Sequence, residues 1–551
     1  MKNQLTLNAY LQESLVDNWN REALTNLNGT TYLYRDIARK IAKLKLMLDA
    51  GKISPGDKIA ICGHNSAEWV IAFVAIMYHG CIAVPILNDF TADTIHHLVN
   101  HSDSKLLFVD ESTWKRLDSD AIKRLTAVIR LDDFNLLACQ SHEMTHTRQH
   151  LNEIFGQIYP ERFTPADVKF AEKKPDDIVL INYTAGSTGF SKGVMLSERV
   201  LWSNVQFTID GLTFLKPGDG MLSLLPLAHM YGLMVEVIHT LVKGCHIYLL
   251  GRTPSPKILL DAFATVRPKL IIAVPLILEK IIRTRVFPRL HKPMMRVLTH
   301  LPYLRRKVLE KVRASLMAAF GGNLRQIIIG GAALARDVED FLRSINFPVT
   351  VGYGMTECGP LISYCPHETQ RPGSCGRTVD RMQVRVDSDN PAVTPGLLWV
   401  KGDNVMSGYY KNEEATRDIM KDGWMNTGDI CQIDNDGYIY IRGRDKNMIL
   451  GASGQNIYPE EIEAVLNNYP AVAESIVVER NGKLVALIYP NEDYIRENSL
   501  TNNKAVIKAL RQIITESNKM LPSYSQISDV VVQETEFEKT PKRSIKRYLY
   551  K

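Results

Sequence analysis

Residues 178–204 read IVLINYTAGSTGFSKGVMLSERVLWSN, where an apolar run of strand length enters a stretch rich in glycine, serine and threonine. A helix is predicted after this stretch. Small residues let backbone N–H groups turn toward an anion, hydroxyl groups add donors, and Lys192 adds a positive charge. The spacing differs from a Walker A motif because Gly189 and Lys192 are not adjacent and Gly193 follows the lysine. The stretch predicts a phosphate-binding loop, with a flexible surface loop as the simpler alternative.

Strands and helices alternate on both sides of this loop. Upstream, strand-length apolar runs are separated by helix-length segments: strands at 58–63, 81–86 and 105–110, and helices at 66–80 and 91–102. Further strand candidates lie at 178–183, 245–250, 269–274 and 325–330. This alternation predicts parallel sheets with helices on their faces. The polar, proline-broken residues 139–176 predict a long surface connection with at most one short helix.

The pattern of apolar residues and glycines changes toward the C-terminus. Residues 371–442 contain short alternating runs with many glycines, which predicts an antiparallel, barrel-like subdomain. A charged, glycine-containing stretch at 442–456 then precedes a small α/β unit, which places a boundary near Asp445. The predicted fold class is α/β: residues 1–444 form a large N-terminal domain of two α/β sheet subdomains plus a β-barrel subdomain, and residues 445–551 form a small C-terminal α/β domain.

Composition excludes several classes of protein. With 551 residues, 45% hydrophobic and 23% charged, the chain is neither disordered, nor collagen-like, nor a disulfide scaffold. A net charge of +6 is too weak for a chain of this length to indicate a nucleic-acid binder. The eight cysteines are scattered and form no CxxC pair, so we expect reduced thiols in a cytoplasmic protein. We expect no signal peptide and no transmembrane segment.

Two further motifs carry nucleotide chemistry. In VTVGYGMTECGP (349–360), Tyr353 could stack on a base and Glu357, beside Thr356, could hold Mg²⁺ next to phosphate oxygens. The alternative is a buried aromatic turn with a solvated glutamate. In DGWMNTGDI (422–430) and YIRGRDK (440–446), Asp429 can accept hydrogen bonds from two sugar hydroxyls and Arg444 can donate to the same sugar. Each of these alone is more typical of a surface or salt-bridge residue.

The order of the motifs identifies a family resemblance. Nine segments follow one another: GDKIAICGHNSAEWVIAFVAIMYHGCIAVPI, YTAGSTGFSKGV, LPLAHMYG, IIIGGAAL, GYGMTE, GDNVMSGYYKNEEAT, DGWMNTGD, GRDKNMIL and GQNIYPEEIE. From about Tyr34 to the C-terminus, the sequence resembles the acyl-adenylate-forming enzymes, and most of all long-chain fatty acid:CoA ligases. The resemblance implies that a carboxylate attacks the α-phosphorus of MgATP, giving acyl-AMP and pyrophosphate. The coenzyme A thiol then attacks the acyl carbon and releases AMP.

The resemblance also implies roles for individual residues. Phosphate contacts fall on Thr184, Ser187, Thr188, Gly189, Lys192 and Thr356. Adenine contacts fall on Tyr353, Gly354, Gly331, Ala332 and Ala333. Ribose contacts fall on Asp429 and Arg444. The residues implied in catalysis are Lys192, His229 near the acyl carboxylate, Thr356, and Glu357 as the Mg²⁺ ligand. Asp445 would be the hinge of a mobile C-terminal domain, and Gly454 would lie in the loop that reaches the thiolation site.

The sequence departs from the family pattern at a few positions. Ala185 and Ser191 replace the usual serine and proline, and Leu397 replaces a glutamate; the first two changes are small, and nothing explains the third. In EKTPKRSIKRYLYK (538–551), Ser544 stands where the family has a lysine that contacts the carboxylate and α-phosphate during adenylation. Lys542 and Lys546 flank Ser544 and are the candidate replacements, with basic tail residues as the alternative.

Two other segments suggest additional contacts. HEMTH (142–146), followed by His150, matches a zinc-protease signature, but its flanks offer no apolar helix face, so a solvated segment is favoured. Residues 282–313 carry ten basic residues against one acid. This suits an anionic membrane surface, or an entrance that attracts acidic lipids and CoA phosphates. A solvated insertion helix is the equally weighted alternative.

The predicted function is ATP-dependent ligation of a medium- to long-chain fatty acid to coenzyme A, with Mg²⁺ as cofactor and ATP and CoA as co-substrates. The open alternatives are an acyl-AMP ligase that loads a carrier protein, an aryl or small-acid CoA ligase, and an adenylate-binding protein with impaired catalysis.

Overall fold

The computed structural model describes residues 6–27, 29–184, 192–251, 256–290, 292, 295, 302–450, 456–480, 482–500, 502–539 and 545–550. Up to Thr184, strands and helices alternate as predicted. The elements are α1 (Leu7–Asp17), β1 (Glu22–Asn26), β2 (Thr31–Leu33), α2 (Tyr34–Ala50), β3 (Lys58–Cys62), α3 (Ala67–His79), β4 (Ile82–Ile86), α4 (Ala92–His101), β5 (Ser104–Val109), α5 (Glu111–Trp114), β6 (Ala127–Arg130), β7 (Leu136–Cys139), α6 (His142–Gln149), α7 (Leu151–Ile158) and β8 (Ile178–Thr184).

The middle of the chain contains two π-helical turns, Gly232–His239 and Ile282–Val286, among regular elements. The regular elements are β9 (Lys192–Ser197), α8 (Glu198–Gly211), β10 (Gly220–Ser223), α9 (Thr240–Val242), β11 (His246–Leu249), α10 (Pro256–Val266), β12 (Leu270–Ala273), α11 (Pro275–Ile281), α12 (Phe287–Leu290), α13 (Pro302–Ala319), β13 (Gln326–Ile329), α14 (Arg336–Ser344) and β14 (Val349–Val351).

Short strands dominate the next part, and the chain ends in an α/β unit. The elements are β15 (Tyr353–Gly354), β16 (Leu361–Tyr364), β17 (Arg377–Thr378), β18 (Met382–Val386), β19 (Gly396–Gly402), β20 (Gly408–Tyr409), α15 (Glu413–Ile419), β21 (Met420–Lys421), β22 (Trp424–Ile433), β23 (Ile439–Arg444), β24 (Ile449–Leu450), β25 (Asn456–Ile457), α16 (Pro459–Leu466), β26 (Val472–Arg480), β27 (Lys483–Pro490), α17 (Glu492–Glu497), α18 (Asn503–Asn518) and β28 (Asp529–Val532).

The largest sheet has eight strands in the order β20-β9-β8-β4-β3-β5-β6-β7. Its centre, β8 to β6, is parallel as predicted, but its edges are antiparallel, so the sheet is mixed. The helix α3 shows why this layer is stable: every one of its residues is buried. Ser66 caps its start by accepting from the Trp69 N–H, and Gly80 ends it in the left-handed region at φ 84°. Both are the residue types that these cap positions favour.

The second predicted α/β part consists of two smaller sheets. One has the order β10-β11-β1-β2, and the other is the parallel sheet β12-β13-β14. In the parallel sheet the Gly330 N–H donates to Ala273 O at 3.1 Å and the Gly352 N–H donates to Ile329 O at 2.9 Å. The loops after β12, β13 and β14 therefore leave the same edge, where ligands of such sheets usually bind.

Residues 382–444 form a five-stranded antiparallel sheet, β18-β19-β22-β21 with β23 beside β22, interrupted by helix α15. The antiparallel prediction for this region is confirmed, while closure into a barrel stays a prediction. After it, the C-terminal unit (residues 456–550) has its own apolar cluster around Ile462, Leu466 and Ile488. Among the described helices, none combines the length and apolar character that a membrane crossing requires.

The connection at 139–176 differs from its prediction. It contains two helices, α6 and α7, rather than at most one, and it is not purely a surface segment. Ser141 caps α6 by accepting from the Met144 N–H, and the Met144 side chain is fully buried. Local capping and a single buried methionine stabilise a helix whose overall composition is polar.

Candidate functional site

The predicted phosphate loop is framed by a tight antiparallel pair. Lys192 begins strand β9 and lies opposite Thr184, the last residue of β8. The Thr184 hydroxyl donates to Lys192 O at 3.5 Å. The prediction of a helix after the loop overlooked β9, which precedes α8. Ser187, Thr188 and Gly189, together with Ala185 and Ser191, lie outside the described residues.

Lys192 and Glu357 meet on either side of Tyr409. Strand β20 pairs with β9, which places the Tyr409 ring 4.8 Å from Lys192 Nζ, and its hydroxyl donates to Glu357 Oε1 at 2.9 Å. Burial and the Glu357 carboxylate both raise the pKa of Tyr409, so its hydroxyl keeps its proton and remains a donor. Sequence reasoning missed Tyr409, although it lies in the GDNVMSGYYKNEEAT segment.

Glu357 fits the predicted role of a magnesium ligand. Thr356 and Glu357 are both buried, 6% and 8% exposed. Only one oxygen of Glu357 accepts a hydrogen bond from the described residues, which leaves the other for a cation. In the described part of the chain there is no cluster of three metal-ligating side chains. Mg²⁺ commonly binds one carboxylate together with substrate phosphates and water, so a single glutamate suits it.

The structure brings together the two residues predicted at the ribose. Asp429 on β22 lies in register with Arg444 on β23, and Arg444 Nε is 2.7 Å from Asp429 Oδ1. The Tyr353 hydroxyl donates to Asp429 Oδ2, a contact that the sequence did not reveal. Asp429 is 3% exposed. Its burial raises its pKa, while Arg444 opposes that effect.

The turn that carries Tyr353, Thr356 and Glu357 is held by a side chain from another part of the chain. Asn204 on α8 donates to Cys358 O at 3.2 Å and accepts from the Leu361 N–H at 3.0 Å. A side chain at Gly354 would meet Pro360 O at 2.1 Å, so only glycine fits there. Sequence reasoning missed Asn204 because its partners lie in a segment far away along the chain.

The predicted adenine loop follows strand β13. Gly331, Ala332 and Ala333 are exposed, and Gly331 has φ 85°. Such a backbone conformation favours glycine. The loop ends where the Ala335 N–H donates to Glu279 Oε1 at 2.8 Å. Because β13 and β14 are adjacent parallel strands, this loop and Tyr353 leave the same sheet edge, as an adenine site between them requires.

His229 lies half-buried in the turn that follows β10. Its Nδ1 accepts the Tyr231 N–H at 3.3 Å. The proton of the neutral ring therefore lies on Nε2. The turn is tied to strand β8, because the Asn182 side chain donates to Ala228 O at 2.9 Å. The Tyr231 hydroxyl donates to Ile328 O at 3.0 Å, which links the turn to β13.

A buried carboxylate supports the same turn. Glu236, fully buried in the first π-helical turn, accepts from the Ser223 hydroxyl at 2.9 Å and the Leu224 N–H at 3.0 Å. Burial raises its pKa to about 8, which favours the protonated form at neutral pH. Asn182, Tyr231 and Glu236 were missed by sequence reasoning, because only the fold brings their partners close.

Asp445 and Lys546, the described C-terminal residues that were predicted at the site, make none of the contacts given above. Asp445, the predicted hinge, begins a short 3₁₀ turn directly after β23. Lys546 Nζ is 3.1 Å from Glu538 Oε2, and Lys539 Nζ is 2.6 Å from Glu474 Oε1. Both cations are thus paired inside the C-terminal unit. Gly454, Lys542 and Ser544 lie outside the described residues.

The structure gives different results for the HEMTH segment (142–146) and the basic segment (282–313). HEMTH lies on helix α6, and the described residues around it form no cluster of three metal ligands. Part of the basic segment forms helix α13, with Arg305, Arg306 and Lys311 exposed. A groove of about 480 Å³ lies between α13 and the end of α14 and is lined by Arg305, Arg306, Leu309, Glu310, Arg313, Ser344, Ile345 and Asn346.

Comparison with known proteins gives a consistent result. The profile of the family described as AMP-binding enzyme matches residues 11–410, and that of the AMP-binding enzyme C-terminal domain matches residues 446–550. The chain is 29% identical to Long chain acyl-CoA synthetase 3 of Arabidopsis thaliana, covering 83% of this chain and 73% of that protein. It is 28% identical to 4-coumarate–CoA ligase 2 of Nicotiana tabacum, covering 86% and 82%.

Solved structures share the fold. ATP-bound MatB from Rhodopseudomonas palustris superposes with a TM-score of 0.76 at 23% identity, covering 99% of this chain and 98% of that one. O-succinylbenzoate coenzyme A synthetase (MenE) from Bacillus subtilis, in complex with ATP and magnesium, superposes with a TM-score of 0.74 at 22% identity, covering 98% of each chain. At these identities the likeness shows the fold alone.

Proposed function

The chain belongs to the AMP-binding enzyme family, and from that premise we propose that it is an ATP-dependent fatty acid:CoA ligase for medium- to long-chain acids. One observation carries the proposal: Tyr353, Glu357, Asp429 and Arg444, from segments far apart in sequence, converge at one edge of the sheets. Long-chain acyl-CoA synthetases among the relatives support the acid class.

The proposed reaction has two steps. The acid carboxylate attacks the α-phosphorus of ATP, its oxygen forms the new P–O bond, and pyrophosphate leaves. The CoA thiolate then attacks the acyl carbon, the new C–S bond forms, and AMP leaves. Adenylation is needed because the carboxylate oxygen is otherwise a poor leaving group.

The residues of this chain bind and orient the reactants. Asp429 and Arg444 hold the ribose, Tyr353 packs on adenine beside Gly331–Ala333, and Lys192 compensates charge on the phosphates. Glu357 would hold Mg²⁺, which neutralises phosphate charge when bound. His229 presents its Nε2–H near the acyl carboxylate. Lys546 or Lys542 would replace the lysine lost at Ser544.

Substrate choice has a second candidate class. The identity with 4-coumarate–CoA ligase 2 of Nicotiana tabacum favours an aryl carboxylate as the alternative acid. Both classes use the same nucleotide chemistry, so they differ only in the pocket beyond His229. Loading of a carrier-protein thiol and loss of catalysis are the other outcomes that the experiment below separates.

The same proposal includes a domain boundary at residues 444/445, rotation about Asp445, a thiolation role for Gly454 and a cytoplasmic location. All eight cysteines are free thiols, which fits a reducing compartment.

Exposed Arg305, Arg306 and Lys311 support peripheral contact of residues 282–313 with an anionic membrane. Binding to phosphatidylserine vesicles should then weaken as salt rises, and equal binding to neutral vesicles would contradict it.

The experiment is pyrophosphate release from MgATP with a panel of acids from acetate to palmitate, plus 4-coumarate, with and without CoA. Turnover with long acids that requires CoA supports the proposal. Preference for 4-coumarate would replace the fatty acid by an aryl acid. Release without CoA turnover would indicate a carrier-protein acceptor. No release with any acid, together with retained ATP binding, would reduce the protein to an adenylate-binding role.

A further inference from the structure

Arg283 of the large domain reaches across to the C-terminal unit. It lies in the π-helical turn Ile282–Val286, and its Nη2 is 2.8 Å from Asp337 Oδ1. The same guanidinium donates to Asn468 O at 3.2 Å and to Asn468 Oδ1 at 3.3 Å. The Arg283 side chain is 26% exposed. Solvent therefore screens these contacts only partly. One side chain thus joins two units that are far apart in sequence.

Helix α16 of the C-terminal unit is held at both ends. Near the predicted hinge, Asn447 donates to Glu460 Oε1 at 2.7 Å and Arg442 lies 3.6 Å from Glu461. At the far end, two residues beyond the helix, Asn468 contacts Arg283, where the partial negative charge of a helix C-terminus favours a cation. The helix has eight residues and is therefore about 12 Å long. A rotation about the hinge displaces the far end most, so the Arg283 contact depends most on orientation.

Arg283 is also held by residues that lie next to the predicted adenine loop. Asp337, its ion-pair partner, lies in the first turn of α14, directly after the predicted adenine loop. Glu279, one helical turn before Arg283, accepts the Ala335 N–H at the end of that loop. The same short helical segment therefore positions both the adenine loop and the far end of α16.

The described tail cations pair within the C-terminal unit and therefore move with it. Lys539 and Lys546 pair with Glu474 and Glu538, and the tail's Arg547 pairs with Glu463 of α16. Adenylation, as proposed, needs a tail lysine at the α-phosphate. We propose that Arg283 is a positioning residue, a latch that holds the C-terminal unit in its present orientation and so sets the balance between adenylation and thiol transfer. This inference rests on the proposed two-step function.

The test separates the two half-reactions in the full-length protein. Acid-dependent exchange of pyrophosphate into ATP reports adenylation, and CoA-dependent consumption of preformed acyl-AMP reports thiol transfer. We expect Arg283→Gln to change the ratio of the two rates about fivefold, the scale of a partly exposed charged contact. Arg285→Gln is the matched control: Arg285 is an exposed cation of the same turn that makes no ion pair with the described residues. It should change neither step.

A second variant keeps the latch testable if Arg283→Gln fails to fold. Asn468→Asp places a carboxylate opposite Arg283, strengthens the contact, and should change the ratio of the two rates in the direction opposite to Arg283→Gln. Equal changes of both half-reactions in Arg283→Gln, or the same bias in Arg285→Gln, would overturn the latch while leaving the proposed function intact. A wild-type protein that shows neither half-reaction with any acid would overturn the proposed function itself.

Discussion

The nucleotide corner (Tyr353, Glu357, Tyr409, Asp429 and Arg444) and the C-terminal tail (residues 539–550) differ in how their charges are used. In the corner, side chains from separate segments contact one another across the site. In the tail, the lysines that the structure describes are paired within the C-terminal unit. The contacts of the corner all lie within residues 353–444, whereas Lys546 would have to exchange Glu538 for a phosphate before it could contribute to catalysis.

The largest effect is expected for Glu357→Gln, which removes the magnesium ligand proposed for the corner. An amide binds Mg²⁺ poorly, so acid-dependent pyrophosphate release should fall at least about 100-fold. Tyr409→Phe is the control, because it removes only the hydrogen bond to Glu357 and should cost less than about tenfold. Release is measured over a magnesium titration. Equal losses in the two variants would show that Glu357 acts through Tyr409 rather than through a cation.

A smaller effect is expected for Asp429→Asn at the ribose. Hydrogen bonds to a buried charged acceptor contribute about 1.5–3 kcal/mol, so their loss should raise KM for ATP about 10- to 100-fold with little change in kcat. The variant should also lose discrimination between ATP and 2′-deoxyATP. The control is Asp434→Asn just beyond strand β22, which weakens an ion pair with Arg371 and a hydrogen bond from Tyr440 but leaves Asp429 in place. A fall in kcat at unchanged KM would contradict the ribose assignment.

The tail is tested by Lys546→Ala, for which we expect adenylation to slow about tenfold through loss of one phosphate-directed cation. Glu538→Gln releases Lys546 from its ion pair and should leave adenylation unchanged or faster. Both are measured by pyrophosphate exchange, next to Lys542→Ala. If only Lys542→Ala is impaired, Lys542 is the replacement for the lysine missing at Ser544, and Lys546 merely anchors the tail.

The smallest effect on catalysis is expected for Glu198→Gln. This variant tests a contribution to stability that involves neither the corner nor the tail. Glu198 is fully buried and accepts the Leu7 N–H at 2.6 Å and the Asn8 N–H at 3.2 Å, which secures helix α1. Burial raises its pKa from 4.5 to about 7. Because the folded state holds this proton more tightly, its contribution to stability is present at acidic pH and is lost as pH rises from about 4.5 to about 7.

Glutamine is neutral at every pH, so Glu198→Gln should flatten this decline by up to about 3 kcal/mol. Thermal unfolding from about pH 4.5 to about pH 8 measures it, with the exposed Glu161→Gln as control. The kcat should stay within about twofold at neutral pH. An unchanged pH profile would show that Glu198 stays ionised when folded.

Much of the fold was predictable from the sequence. Buried parallel strands such as Lys58–Cys62 and Gln326–Ile329 are short apolar runs, and helix α3 has its cap residues at both ends. Strand β9 was missed because it begins at Lys192, within a glycine-containing stretch, and is stabilised by pairing with β8 and β20. Helices α6 and α7 have eight residues each and are separated by a single residue, and α6 is polar, so the local pattern did not reveal two helices.

The candidate site was predictable only in part, for a related reason. Asp429 and Arg444 were identified from motifs that lie in family order along the chain. Asn204, Tyr231 and Glu236 carry no local signal, because a lone asparagine, tyrosine or glutamate has no meaning until its partner is known. Their partners, such as Cys358 for Asn204, are brought near by strand order and helix packing.

The sequence by itself determined the α/β class, the order of the motifs and the residue types available for phosphate, ribose and cation. These features are local, because apolar periodicity and turn residues act over a few positions. Only the tertiary structure decided that Tyr353 bonds to Asp429, that Tyr409 lies between Lys192 and Glu357, and that Lys546 is paired with Glu538. Such contacts depend on distances set by the packing of whole sheets, which no short stretch of sequence encodes.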